Sequence, residues 1–367
     1  MRGRRWCVGI ALIPVLLLGA VGAKPLIAQG PAGQGVSPAA RSAFVELVGT
    51  YDALGLAHDI VVSGSRAYIL TDRGLEVADV SNPARPRRLG SCEMPAAAAA
   101  ISGERLYIAG WNSGLWVVDV SNSARPRTLG RCETPGTAVD VAIAGRYAYV
   151  ATGYAGLRVV DVSNPAAPRE VGCSDAESGW IGGVRVSGRV VYLLVQETYW
   201  AGQLVVMDLS NPTTPRNLGR CETDCPMGVD ISGGFAYAIG VYGLEIIDVR
   251  WPSSPRVLSR HGLEGMGADV CVSGNSAYVL HGGPVPVGDT GVKGLQSEGL
   301  SVLDVSDPMR PHALGFYDYD YDGGYDWPRK AVYVSGGLAY VADRKVMIFR
   351  YRPPRARAFL PLALKGR

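Results

Sequence analysis

The sequence has no large excess of charge of either sign. Its 36 Lys and Arg residues stand against 33 Asp and Glu residues, which leaves a formal net charge of +3 at pH 7. A chain this close to balance has no overall field that would attract a polyanion or an anionic membrane surface. We therefore expect no nucleic-acid partner, and any electrostatic recognition must come from a local patch.

Catalytic motifs are also missing from the sequence. It contains no G-x-S-x-G, no H-E-x-x-H and no phosphate-binding glycine loop. Its 4 His residues are widely spaced, at His58, His261, His281 and His312. Sites assembled from distant parts of a chain leave no such motif, so this absence favours a non-enzymatic protein without excluding an enzyme.

The first residues carry the pattern of an export signal. A basic stretch at residues 1–5 precedes an apolar run at residues 6–23 that ends in small side chains. This pattern predicts a cleaved signal peptide over residues 1–23, with a retained membrane anchor as the alternative because the run approaches the length of a span. Residues 24–43 are rich in Gly, Ala, Pro and Gln and predict a flexible linker. We therefore expect a secreted or cell-surface protein with no stable membrane insertion after cleavage.

One segment recurs along the chain. GLEVADVSNPARP at 74–86 returns as GLWVVDVSNSARP at 114–126 and GLRVVDVSNPAAP at 156–168, and more divergent copies begin at residues 203, 243 and 299. The Asp residues of these copies are 40, 42, 47, 40 and 56 residues apart. A period near 40 with variable length is typical of a propeller or a solenoid. The aspartates are Asp79, Asp119, Asp161, Asp208, Asp248 and Asp304.

Each period holds four short strand-like runs bounded by Gly, Pro, Asn or Ser, with no helical window between them. The chain ends complete each other, because residues 44–49 match the fourth run of a repeat and residues 345–349 match a third run. The sequence therefore predicts an all-β fold, a seven-bladed β-propeller over residues 44–352 with four antiparallel strands per blade. The N-terminal strand completes the last blade, and residues 353–367 form a basic and apolar C-terminal tail. A Tyr of the second run marks the seven copies, at Tyr68, Tyr107, Tyr149, Tyr192, Tyr237, Tyr278 and Tyr340.

The GL-x-V-x-D-V-S-N-P segment and the preceding S-G-x-x-A-Y-V element resemble the LVIVD repeat of bacterial and archaeal surface-associated proteins. The resemblance spans residues 44–351, and six of the seven third-strand copies fit it. The seventh copy departs from it because no Asp follows Ile348, and the fifth has Arg250 and Trp251 in place of Ser and Asn. The resemblance implies export and binding or adhesion, but it fixes no ligand and supplies no catalytic residue.

Residues that recur from copy to copy are expected to hold the blades together. The repeated Asp can accept backbone N–H bonds in the turn between the third and fourth strands, and the Pro presets that turn. The Arg residues that open the fourth strands predict a solvated ring with occasional Asp partners, and binding of an anionic polymer is the alternative. These arginines are Arg87, Arg127, Arg169, Arg216 and Arg256.

Six cysteines follow the signal segment, and an even number in an exported protein favours disulfides. However, Cys92, Cys132 and Cys221 occupy one repeat position on the outer strands of different blades, too far apart to be bridged. We expect no bridge among these three and interpret them as free thiols, with one alternative left open: a disulfide between Cys221 and Cys225 within a single loop.

Ligand-binding groups are expected where the repeat is broken, since loops on a rigid scaffold carry function. Insertions at residues 196–200, 281–298 and 316–330 would all open on one face of a propeller. Aromatic residues on that face suit sugar stacking or a protein hot spot, and the alternative is that each ring covers its own loop. The candidate ligand-binding residues are Trp111, Tyr154, Trp180, Tyr199, Trp200, Tyr242 and Trp327.

Three aspartates share one position at the start of a first strand, near the predicted mouth of the axial channel. They are Asp59, Asp140 and Asp269. An acidic channel mouth suits cation binding or hydrolysis, and the alternative is that each carboxylate caps the entry of a strand.

A second acidic group resembles the first half of a Ca²⁺ loop, with alternating carboxylates followed by Gly. Its candidate ligands are Asp318, Asp320, Asp322 and Asp326. Arg329 stands where such a loop carries a bidentate Glu, so Ca²⁺ binding and a solvated acidic loop are both open.

These observations predict a monomeric, secreted or cell-surface scaffold for binding or adhesion. Its ligand is an extracellular carbohydrate or protein on the insertion-bearing face. The alternative is an extracellular hydrolase or lyase with an acidic site at the channel mouth. Ca²⁺ is the only cofactor that the sequence suggests.

Overall fold

Short, β-branched runs that alternate with Gly, Pro and Asn turns form the strands of this chain. The computed structural model describes residues 44–175, 179–198, 201–263, 265–287, 291–319 and 330–353. These residues contain no helix and form seven antiparallel sheets of four strands each. The prediction of an all-β, seven-bladed propeller is confirmed. The predicted signal peptide and linker, and the C-terminal tail from residue 354 onward, lie outside the described residues.

Each of the first three blades takes its four strands consecutively from the chain. Blade 1 contains β2 (Ala57–Ser63), β3 (Arg66–Thr71), β4 (Gly74–Asp79) and β5 (Arg87–Glu93). Blade 2 contains β6 (Ala98–Ser102), β7 (Arg105–Ala109), β8 (Leu115–Asp119) and β9 (Arg127–Cys132). Blade 3 contains β10 (Asp140–Ala144), β11 (Tyr147–Ala151), β12 (Leu157–Asp161) and β13 (Arg169–Ser174).

The next three blades follow the same order. Blade 4 contains β14 (Trp180–Ser187), β15 (Val190–Gln196), β16 (Gly202–Asp208) and β17 (Arg216–Thr223). Blade 5 contains β18 (Pro226–Ser232), β19 (Phe235–Gly240), β20 (Gly243–Asp248) and β21 (Arg256–His261). Blade 6 contains β22 (Met266–Ser273), β23 (Ser276–Val287), β24 (Gly291–Asp304) and β25 (His312–Tyr319).

The seventh blade joins the two ends of the chain, as the sequence predicts. It contains β26 (Ala331–Ser335), β27 (Leu338–Asp343) and β28 (Lys345–Tyr351), and its outer strand is β1 (Val45–Tyr51). Val45 pairs with Tyr351 and Tyr51 pairs with Val346. This pairing satisfies the backbone of β28, which would otherwise be an open sheet edge.

The apolar core lies between neighbouring blades. One cluster joins Ile60 of blade 1 to Tyr340 and Ile348 of blade 7. Another joins Tyr68 of blade 1 to Ile108 of blade 2. The recurrent Tyr and the alternating Val, Ile and Leu residues are therefore buried because each blade covers the face of the next.

The repeated Asp organises the turn between the third and fourth strands, as predicted. In blade 1, Asp79 Oδ1 accepts the backbone N–H of Ser81 at 2.9 Å, and Asp79 Oδ2 lies 3.0 Å from Arg87 Nη2. Hydrogen bonds from Ser81 and Arg87 lower the pKa of Asp79 to about 2. The fifth copy keeps the backbone bond, because the Arg250 N–H donates to Asp248 Oδ1 at 3.1 Å. Its ion pair differs, since the guanidinium of Arg250 lies 2.7 Å from Asp248 Oδ2 and that of Arg256 lies 3.7 Å away. We call the face formed by these turns the repeat face.

A Gly in the fourth strand lets each turn dock on the preceding blade. A Cβ on Gly130 would lie 2.5 Å from the carbonyl oxygen of Pro165, in the turn of blade 3. A Cβ on Gly219 would lie 2.7 Å from the carbonyl oxygen of Pro252, in the turn of blade 5. In blade 5 the corresponding residue is Ser259, whose Oγ donates to Pro308 O at 2.6 Å. The repeated L-G pair is therefore a contact between blades.

The six cysteines in the described part of the chain are free thiols, including Cys221 and Cys225. The prediction that Cys92, Cys132 and Cys221 are unbridged is confirmed. Within the described ranges no helix has the length and apolar character to cross a bilayer.

Candidate functional site

The connections between second and third strands, and the crossings from blade to blade, form the face opposite the repeat face. We call it the insertion face. The sequence predicts a loop at residues 281–298, but this insertion is mostly strand, because β23 and β24 continue as a long hairpin with Val287 paired to Gly291. In blade 4 the shorter insertion is closed by the Glu197 N–H bond to Ala201 O at 3.1 Å.

Trp111 connects blades 2 and 3 on the insertion face. Its backbone has a φ of 54° and exchanges hydrogen bonds of 3.0 and 2.9 Å with Ala138, at the entry of blade 3. The indole Nε1 donates to Ala96 O at 3.0 Å. The half-buried ring thus fixes a boundary between two blades.

Tyr154 and Trp180 come together across the boundary between blades 3 and 4. Their ring centroids are 5.1 Å apart at 81°, an edge-to-face arrangement. The Trp180 ring lies against Gly153, where a Cβ would approach Cζ3 to 2.6 Å, and Gly153 forms a β-bridge with Ile181. Trp180 is therefore held against the scaffold, while Tyr154 remains 61% exposed.

Blade 5 adds two more exposed apolar side chains to this side of the insertion face. Tyr242 is 58% exposed and Met227 is 42% exposed. Gln196 of blade 4 donates from Nε2 to Pro226 O at 3.2 Å and reaches Met227 Sδ at 3.5 Å. We call the three aromatic residues Tyr154, Trp180 and Tyr242, together with Met227, the aromatic arc. The predicted residues Tyr199, Trp200 and Trp327 lie outside the described residues.

The three predicted channel-mouth aspartates bond to the neighbouring blade. They share an inner-strand position, opposite Leu70, Ala151 and Leu280 of the second strands. Each carboxylate Oδ2 accepts a backbone N–H of the next inner strand: Asp59 from Ala99 at 2.8 Å, Asp140 from Val184 at 2.9 Å, and Asp269 from Val332 at 2.9 Å.

Two channel residues escaped the sequence analysis. Asp230 accepts the Val272 N–H at 2.7 Å, and Arg185 Nη1 lies 2.8 Å from Asp140 Oδ2. Both stand opposite the recurrent Tyr, in registers where blades 1 and 2 carry Val61 and Ala100. An alignment of the repeats on that Tyr would have found these polar exceptions.

The channel changes the acidity of two of these carboxyl groups. Burial raises the pKa of Asp59 to about 6 and that of Asp269 to about 7. The positive charge of Arg185 opposes both shifts. The channel therefore holds carboxyl groups that exchange protons near neutral pH.

Asp318 belongs to strand β25 rather than to a free loop. It pairs with Gly299, and its Oδ1 would lie 3.0 Å from a Cβ on that Gly. Asp320, Asp322 and Asp326 lie outside the described residues. Elsewhere in the part of the chain that the structure describes, no group of three or more His, Cys, Asp or Glu residues is arranged to hold a metal ion.

A buried polar cluster lies where the two long insertions leave blades 6 and 7. Lys330 Nζ is 2.6 Å from Glu298 Oε1 and 3.1 Å from Asp343 Oδ2. Burial, followed by the charges of Asp343 and Glu298, raises the pKa of Tyr319 well above its usual value. The sequence did not reveal this cluster, because its members are brought together only by the packing of the two blades.

The family model for the LVIVD repeat matches seven segments, at residues 54–94, 96–134, 135–175, 179–223, 226–261, 294–319 and 329–348. Among solved structures, the WD40 domain of Pan2 from Neurospora crassa has a TM-score of 0.62 and 13% identity, covering 85% of this chain and 96% of that chain. A crystal structure of the computationally designed Ika8 protein has a TM-score of 0.58 and 10% identity, covering 83% of this chain and 99% of that chain. At such identities the likeness concerns the fold alone. No curated protein matches the chain.

Proposed function

The chain belongs to the LVIVD repeat family, and from this premise we propose that it is a binding or adhesion scaffold, secreted or held at the cell surface. Its partner is an extracellular carbohydrate or protein that contacts the insertion face. The repeats supply a rigid frame, and the connections between them supply the contacts.

The aromatic arc carries this proposal. Tyr154 and Tyr242 are 61% and 58% exposed, whereas the recurrent Tyr of the second strands, such as Tyr149 at 2% and Tyr237 at 4%, is buried. Tyr154 stands against Trp180, which the neighbouring blade holds in place. Exposed rings on a fixed backbone lose little entropy on binding, so they suit a sugar face or a protein hot spot.

The hydrogen bonds of the channel aspartates disfavour catalysis on the axis and so favour binding at the aromatic arc as the function. Asp59, Asp140 and Asp269 each direct Oδ2 to a backbone N–H of the next blade. One observation nevertheless favours a hydrolase or lyase as a second candidate: the pKa values of about 6 and 7 at Asp59 and Asp269 suit a general acid or base.

Binding by purified protein to glycan and extracellular-protein arrays tests the first candidate. The double variant Tyr154→Ala, Tyr242→Ala is expected to lose at least about tenfold in affinity for whichever partner the parent protein binds, roughly 1.4 kcal/mol. Trp251→Ala is the matched control, because this 73% exposed ring lies in a third-to-fourth turn on the repeat face. Equal binding by the double variant and the parent contradicts the proposal.

The hydrolase candidate makes a different prediction. Asp269→Asn would abolish any turnover of a polysaccharide or peptide substrate, whereas the double variant at the arc would retain turnover at saturating substrate. An activity that survives Asp269→Asn contradicts a catalytic role for this carboxyl group.

A further inference from the structure

We propose that a groove on the insertion face, between blades 7 and 1, binds a small amphiphilic anion: an apolar chain or ring that carries one carboxylate or sulfonate. The groove has a volume of about 350 Å³, a size typical of small-molecule sites. It is separate from the aromatic arc, which lies on blades 3 to 5, and does not depend on the function proposed there. Its walls are Asp52, Leu54, Leu56, Asp72, Arg73, Arg344 and Lys345.

The apolar wall of the groove consists of two leucines that face solvent. Leu54 is 49% exposed and Leu56 is 53% exposed, with one residue between them. A single surface leucine needs no explanation, but a pair lining one concave surface indicates a place for an apolar partner.

Hydrogen bonds fix the segment that carries these leucines. The Leu54 N–H donates to Glu76 Oε2 at 2.8 Å, and the Leu56 N–H donates to Asp72 Oδ1 at 2.8 Å. Asp72 in turn donates its own N–H to Leu56 O at 3.3 Å. The groove is therefore preformed, which lowers the entropy that a ligand must overcome.

Gly55 is required for this arrangement. A side chain at this position would collide with the Asp72 carboxylate, and it would also come within 3.1 Å of Thr71 Cβ. The absence of a Cβ at Gly55 thus allows Asp72 to reach the backbone between the two leucines.

The rim of the groove is cationic. Arg73 and Lys345 are exposed, and neither side chain has an ion-pair partner among the described residues. Asp72, one of the two carboxylates of the groove, already accepts the Leu56 N–H. Arg344 adds a third cation, and reciprocal backbone bonds of 2.8 and 3.0 Å to Ala57 fix its main chain. The three cations Arg73, Arg344 and Lys345 outnumber the two carboxylates, Asp52 and Asp72, so the groove has a net positive charge that favours an anion. A guanidinium group suits a carboxylate or sulfonate.

Calorimetric titration of the purified protein tests the proposal with two probes of equal chain length. The probes are decanoate and decyltrimethylammonium, each kept below the concentration at which it forms micelles. We expect saturable binding of one decanoate per chain and at least about tenfold weaker binding of the cation. Equal affinity for both probes, or no saturable binding of decanoate, overturns the proposal.

Two double variants separate the apolar wall from the cationic rim. Arg73→Ala with Lys345→Ala should weaken the binding of decanoate by about fivefold or more and so remove the selectivity for the anion. Leu54→Ser with Leu56→Ser should weaken the binding of both probes by about fivefold or more. Leu89→Ser, an exposed leucine on an outer strand, is the control. Melting temperatures equal to that of the parent establish that the variants are folded.

Unchanged decanoate affinity in both double variants places the probe elsewhere and overturns the proposal. The arc variant Tyr154→Ala, Tyr242→Ala is expected to bind decanoate as the parent protein does. Loss of decanoate binding in that variant also overturns the assignment to the groove. Failure of the groove therefore leaves the function proposed for the arc untouched.

Discussion

The repeat face and the insertion face are connected by the same strands, but their side chains differ in hydrogen bonding and exposure. On the repeat face, Asp79 is bonded by Ser81 and Arg87 of its own blade, and Gly130 accepts the turn of the next blade. On the insertion face, Tyr154 and Tyr242 stay exposed, and the connections change from blade to blade. Residues of the first kind close the fold and must recur, whereas residues of the second kind are free to vary. The comparison locates the recurring structural roles on one face and the candidate binding residues on the other.

The largest effect is expected from removing β1, the strand on which both faces depend for closure. Deletion of residues 1–52 leaves β28 without its partner and uncovers Phe349, which is 1% exposed. We expect aggregation or a large loss of thermal stability, whereas deletion of residues 1–40 leaves β1 intact. Thermal unfolding and size-exclusion chromatography of the two truncations measure the difference. Equal stability would show that the seventh blade does not need its N-terminal strand.

The next largest effect is the difference in stability between two Gly→Ala substitutions, one against each face. Gly130→Ala places a Cβ against Pro165 of the docking turn and should lower the free energy of unfolding by about 1–3 kcal/mol. In Gly262→Ala, on the insertion face, the added Cβ would lie 4.0 Å from Tyr242 O, its nearest neighbour among the described residues, so stability should change by less than about 0.5 kcal/mol. Denaturant unfolding of both variants measures these changes. Similar values for the two would remove the distinction between a packed repeat face and a tolerant insertion face.

The repeat made the fold predictable, because each copy contains the same pattern of strand, turn and strand. The seven Tyr positions gave the number of blades, and the complementary ends at residues 44–49 and 345–349 gave the closure. The D-V-S-N-P turn was also readable, since its hydrogen bonds join residues two positions apart, such as Asp79 and Ser81.

The candidate sites were less predictable, because they are made by contacts between blades. Asp59 and Ala99 are bonded across 40 residues, and Glu298 meets Lys330 across a boundary that no local pattern encodes. The pairing of Tyr154 with Trp180 likewise depends on how blade 4 enters beside blade 3. The repeat predicts which residues lie on each face, but it does not predict which of those residues contact one another across a blade boundary.

A pH titration separates the axial aspartates from those of the repeat face. Burial raises the pKa of Asp269 to about 7, so its stabilisation by protonation is complete below about pH 4 and is lost as the pH rises through 7. Asp269→Asn imitates the protonated form and should raise the melting temperature more at pH 8 than at pH 5.

Asp79 supplies the matched control. Its pKa of about 2 is below the unfolded value, so the stabilisation is present above about pH 4 and is lost only as the pH falls through 2. Asp79→Asn should therefore lower the melting temperature equally at pH 5 and pH 8. A change for Asp269→Asn that does not depend on pH would contradict the proton exchange assigned to the channel.

The smallest and most local effect concerns the acidic segment that begins at Asp318. If Asp318, Asp320, Asp322 and Asp326 converge on Ca²⁺, an ion that binds only the folded chain stabilises it by mass action, by about 2.7 kcal/mol at a hundred times the dissociation constant. Millimolar Ca²⁺ should then raise the melting temperature and a chelator should lower it. Asp318→Asn with Asp320→Asn should abolish this response without unfolding the propeller, because neither change touches the repeated Asp or Gly of the repeat face. Absence of Ca²⁺ binding in a calorimetric titration of the parent protein would contradict the metal site and leave an acidic, Tyr-rich segment better suited to contacting a partner than to holding an ion.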